Sequence, residues 1–124
     1  MTKRKSPKEI IESDPTPENE IALIKFPRQS PINVSGRRSR GRVYIADNLA
    51  TMSALSSNGK YSFIHTHPYN EGIMHHLGNI LPFIRNARRA LCFPSYHDLA
   101  KFLGDPRIKT AVIHTRGTKS GKIY

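Results

Sequence analysis

Residues 63–68 read Phe-Ile-His-Thr-His-Pro, an apolar run that ends in two histidines at i and i+2. In extended backbone alternate side chains share a face, so the imidazoles of His65 and His67 leave one side of a strand. Downstream, Pro94-Ser95-Tyr96-His97-Asp98 leads into an apolar helical pattern. A carboxylate arriving from that helix would complete a three-ligand set with the two imidazoles. Nitrogen and oxygen ligands with a fourth position left open describe a catalytic zinc centre rather than a structural one.

Few residues compete for that chemistry. Cys92 is the only cysteine among 124 residues, which excludes an internal disulfide and a thiolate metal knuckle. A reducing, cytoplasmic setting is expected. The length suits one domain, and with 37% hydrophobic residues and no long apolar run neither a membrane span nor a signal peptide is expected. Acids are scarce. Residues 1–20 hold four Lys/Arg against five Asp/Glu, while the remainder holds sixteen against four: Asp47, Glu71, Asp98 and Asp105. The body therefore carries a charge of +12, which suits an acidic protein partner or nucleic acid, or simply keeps a small protein in solution.

The basic cluster and the Pro15-Thr16-Pro17 pair predict a flexible tail over 1–17, with room for one short helical turn between Pro7 and Ser13. Strands are expected at 20–26, 42–46, 61–65 and 109–114, the third ended by Pro68. The Pro-, Ser-, Gly- and Arg-rich stretch 27–40 reads as a loop. Asp47 is the expected N-cap of a helix over 48–57 whose stripe is Leu49, Met52 and Leu55. Ser95 opens a second helix with Leu99, Phe102 and Leu103 on its apolar face. Between them, 69–93 reads as an inserted helical segment, interrupted by Gly72, Gly78 and Pro82, with Arg85, Arg88 and Arg89 on a solvated face or against an acidic partner. The class is α/β, a mixed sheet sandwiched by helices in a single domain over 18–124.

Each half of the motif has an ordinary explanation. Strand-end histidines often serve only as hydrogen-bonded polar residues. Ser95-x-x-Asp98 matches a helix-capping pattern, with the acid near the positive end of the helix. His75, His76, His97 and His114 read as surface or packing residues, although His97 adjoins Asp98.

Taken in order, His65-Thr66-His67-Pro68 followed by Ser95-x-x-Asp98 resembles the JAB/MPN metalloprotease family and its JAMM motif, closest in flavour to prokaryotic, phage or RadC-like modules. The resemblance implies a cytidine-deaminase-like architecture and a Zn2+ held by His65, His67 and Asp98. It implies a glutamate general base on an early strand, Glu20 by position with Glu18 as the fallback, and a tetrahedral oxygen held by Ser95. The implied activity is that of a hydrolase, a metallopeptidase or isopeptidase acting on a peptide or a ubiquitin-like protein conjugate. The 26 residues between Pro68 and Ser95 depart from the family's short spacing. Two other readings stand beside the enzyme: a RadC-like nucleic-acid-associated module, motivated by Arg37, Arg38, Arg40 and Arg42, and a catalytically silent JAB-like scaffold.

Overall fold

Residues 21–24, Ile-Ala-Leu-Ile, are all buried, because the strand they form is covered on both faces. The computed structural model describes residues 5–39, 42–56, 59–72 and 96–123. Strand β1 (Ala22–Lys25) pairs antiparallel with β2 (Ile32–Asn33) and with β5 (Tyr61–Tyr69). Strand β5 runs parallel to β6 (Ile108–Gly117), giving a mixed four-stranded sheet in the order β2-β1-β5-β6. A two-stranded ribbon, β3 (Ser35–Arg38) with β4 (Val43–Ile45), continues from β2. It grips the start of β1: Val34 N–H donates to the Ala22 carbonyl at 3.0 Å, and Glu20 N–H to the Ser39 carbonyl at 2.9 Å.

Alternation sorts the apolar residues onto two layers. Ala22, Ile24, Tyr61 and Phe63 point to one face, closed by Val34, Ile108 and, from α2 (Leu49–Ser56), Ala54 and Leu55. Ile21, Leu23 and Ile64 point to the other, under Ile10 and Ile11 of α1 (Pro7–Ser13) and Ile123. Each such aliphatic side chain contributes about 1.5–3 kcal/mol when fully buried. With α3 (Tyr96–Gly104), the described residues hold a mixed sheet and three helices, an α/β arrangement. Among the described residues no helix is long and apolar enough to cross a membrane.

Several expectations give way to tertiary contacts. From residue 5 onward the expected tail is packed: Ser6 caps α1 by accepting from Glu9 N–H, and Ile11 is completely buried. The expected loop over 27–40 contains β2 and β3, whose pairing partners lie outside the stretch. Asn48, not Asp47, caps α2, its Oδ1 accepting from Thr51 N–H at 2.9 Å. That helix turns Thr51, Ala54 and Leu55 inward and leaves Leu49 and Met52 exposed, because apolar and small hydroxyl residues are spread evenly around it and periodicity cannot choose a face.

Pro68 does not end β5, which runs on to Tyr69. Thr66 N–H faces β1 and donates to the Ile21 carbonyl, so the Pro68 nitrogen faces the same side. There the chain upstream of Glu20 has already turned away, through Asn19 N–H to the Thr16 carbonyl, and among the described residues no strand there needs a donor. On the opposite side the ladder with β6 continues from Pro68↔Arg116 to Tyr69↔Gly117. The expected helical insertion over 69–93 begins inside β5 at Tyr69, and from 73 to 93 it lies outside the described residues, as does Ser95.

Candidate metal centre

The face of β5 that carries Phe63 also carries His65 and His67, and α3 stands over it with Asp98 in its first turn. His65 Nε2 lies 3.1 Å from His67 Nε2 and 3.2 Å from Asp98 Oδ1, and His67 Nε2 lies 3.3 Å from Asp98 Oδ2. Nitrogen and oxygen ligands about 2.0–2.1 Å from a tetrahedral zinc stand about 3.3–3.4 Å apart, close to these separations, with each carboxylate oxygen turned to a different imidazole. Two ring lone pairs and a carboxylate at this range repel unless a proton or a cation lies among them. Among the described residues, this is a group with the donor set to hold a metal ion.

The electrostatics favour neutral, ligating imidazole. Burial pushes the His65 pKa below its ordinary value, and the neighbouring His67 adds to that against the pull of Asp98. His65 is 5% exposed, and its Nδ1 is buried with no hydrogen-bond partner among the described residues. With Nε2 turned into the cluster, Nδ1 is the nitrogen left to carry the neutral ring's proton. His67 and Asp98 are less buried than His65, so the cluster opens to solvent on their side.

The register between β1 and β5 puts Glu20, and not Glu18, beside the histidines. Ala22 is opposite His65, and Thr66 holds the next residue upstream, its N–H donating to the Ile21 carbonyl and its hydroxyl accepting from Ile21 N–H at 3.0 Å. One step further, Glu20 falls opposite His67, on the ligands' face of the sheet. Burial pushes the Glu20 carboxyl up to about 7; His67 pulls it down and Asp98 pushes it further up. Glu18 sits beyond the ladder, in the turn closed by Asn19 N–H and the Thr16 carbonyl. His65, His67, Asp98 and Glu20 are thus brought together.

Three residues beside the site had no role assigned from the sequence, two of them inside the motif itself. Thr66 fixes the backbone next to Glu20. Phe63 and Lys101 wall an apolar pocket of about 280 Å³ beside His65 and Asp98, with the Lys101 ammonium 4.2 Å from the Phe63 ring centroid. Burial lowers the Lys101 pKa, against the pull of Asp105 and Asp98. The available signals were spacings: Lys101 follows Asp98 by three on a helix, and Phe63 precedes His65 by two on a strand. Compared with family models, curated proteins and solved structures, the chain matches none.

Proposed function

We propose that this protein is a zinc-dependent amide hydrolase of the JAMM type, acting on a peptide or on a protein-modifier conjugate. The observation that carries the reading is the meeting of the Asp98 carboxylate with both β5 imidazoles, beside a glutamate placed by strand register.

His65, His67 and Asp98 would hold the zinc, two neutral nitrogens and one carboxylate leaving a net positive charge at the centre. Bound there, the ion supplies Lewis acidity, which brings the pKa of a water to about 7. Glu20 takes the proton of the attacking water and passes it to the leaving amine. General acid–base transfer of this kind contributes about 10²–10⁴ in rate. The burial that raises the Glu20 carboxyl suits both halves of that task. The oxyanion is assigned to Ser95, as the motif resemblance implies.

Metal analysis tests the reading. Protein purified from zinc-replete medium is expected to carry about one zinc per chain, and His67→Ala none. A wild-type protein that stays metal-free under those conditions overturns it. Cleavage of amide-linked fluorogenic peptides, abolished by chelation and restored by zinc, is the accompanying activity assay.

A further inference from the structure

The β3–β4 ribbon carries a second arrangement that the metal centre does not use. Arg37 and Arg42 both lie against the ring of Tyr44, their guanidinium carbons 5.0 and 5.7 Å from its centroid. Arg42 Nη1 donates to the Tyr44 hydroxyl at 3.0 Å, and hydrogen bonds from Arg42 and then Arg37 pull the Tyr44 phenol below its ordinary pKa. With Arg38 and Ser39 these side chains line a concavity of about 480 Å³, and among the described residues no carboxylate lines it. Arg38 is already neutralised from behind, its Nη1 donating to Asp14 at 2.9 Å and its Nε to the Glu20 carbonyl at 2.7 Å.

Two like charges bracketing one ring repel each other. The ring face and the phenol oxygen offset part of that cost. What remains is a pair of guanidinium forks gathered on one tyrosine, Arg42 oriented by its hydroxyl and Arg37 held against its ring. Each fork has five N–H donors, and Arg42 spends one on Tyr44. A planar fork of this kind matches the oxygens of a phosphate, and its flat face accepts a stacked base.

We infer that the Arg37–Tyr44–Arg42 cluster is a binding site for the phosphodiester backbone of a single nucleic-acid strand. The remainder of the chain argues for a polyanion rather than an acidic peptide, since residues 21–124 carry a charge of +12 with four acids. A nucleic acid presents charge at a repeating interval along its whole length, so one strand can neutralise such a body where a short acidic segment neutralises a part. The site does not depend on the zinc reading, because none of its residues is a ligand.

The test is fluorescence anisotropy of the full-length protein with a labelled oligothymidine of about 15 nucleotides, in the presence of a chelator. Binding is expected at low salt and should fall steeply as salt rises from about 50 to 200 mM. Arg37→Ala with Arg42→Ala should weaken it at least ten-fold and reduce the salt slope by about 0.7 per lost phosphate contact. Lys109→Ala with Lys119→Ala removes the same charge from exposed positions elsewhere and should weaken it far less. Tyr44→Phe leaves the charge unchanged but deletes the hydroxyl that orients the Arg42 fork, so it should weaken binding several-fold with unaltered circular dichroism. Equal losses in the two double variants, no loss in Tyr44→Phe, or equal competition by polyglutamate of matched charge would each overturn the assignment.

Discussion

Asp14 accepts a hydrogen bond from Arg116, a completely buried guanidinium that lies 102 positions later in the chain, at 2.6 Å. The same carboxylate takes Arg38, and the Asp14 carbonyl also accepts from Arg116. One acid therefore ties α1, the β3–β4 ribbon and the end of β6 together, and Arg38 in turn holds the Glu20 carbonyl.

Removing that acid leaves two guanidiniums facing each other, one with no access to water. Asp14→Ala is expected to cost about 3–5 kcal/mol, the range for breaking a buried ion pair from one side. Urea unfolding midpoints at neutral pH measure it. A loss under about 1 kcal/mol, as for an exposed pair, would contradict the burial described.

The same group sets an acid limit. Burial alone would raise the Asp14 carboxyl, but hydrogen bonds from Arg38 and Arg116 outweigh it and hold the pKa below its ordinary value. A depressed folded-state pKa gives stability that is fully present above the unfolded value of about 3.9 and is lost as pH falls through the folded one. The stability gap between wild type and Asp14→Ala should therefore be constant from neutral pH to about 4 and narrow below it. Paired denaturation curves across that range check the sign.

Glu20→Gln separates proton transfer from metal binding. On the proposed reading, in which His65, His67 and Asp98 hold the metal, zinc content should be unchanged while peptide hydrolysis falls by about 10²–10⁴. Loss of zinc in this variant would make Glu20 a ligand instead. Glu18→Gln should leave the rate near that of wild type.

Thr66→Val keeps the shape of a completely buried side chain but removes the acceptor of Ile21 N–H. An orphaned buried donor costs about 1–3 kcal/mol. Because that amide adjoins Glu20, turnover should fall as well while zinc stoichiometry holds. Thermal melts, metal analysis and hydrolysis rates on one preparation distinguish this from general unfolding.

The convergence of His65, His67 and Asp98 was legible because the pattern is local. Alternation on a strand put His65 and His67 on one face, and a capping position at a helix start put Asp98 at the end of α3 nearest them. Glu20 was legible only as one of two acids. The choice between it and Glu18 depends on the pairing Ala22↔His65, a contact between distant segments. The strands inside 27–40 were hidden for the same reason, since Ser35 and Arg38 take strand geometry from Ile45 and Val43 and not from their own propensity. Pro68 misled because a proline reports on one edge of a strand, and that edge happens to be unpaired. Nothing local to Asp14 or Arg116 announces their partnership.

Strands β5 and β6 run parallel, with Tyr61 beside Ile108 and Tyr69 beside Gly117. A chain leaving the far end of β5 must travel back to the near end of β6, and such a return takes a dozen or more residues. Asp98 rides on that return path, so an interval between His67 and Asp98 is what this topology requires. The two histidines and the aspartate therefore sit on the two described ends of one crossover, β5 and α3.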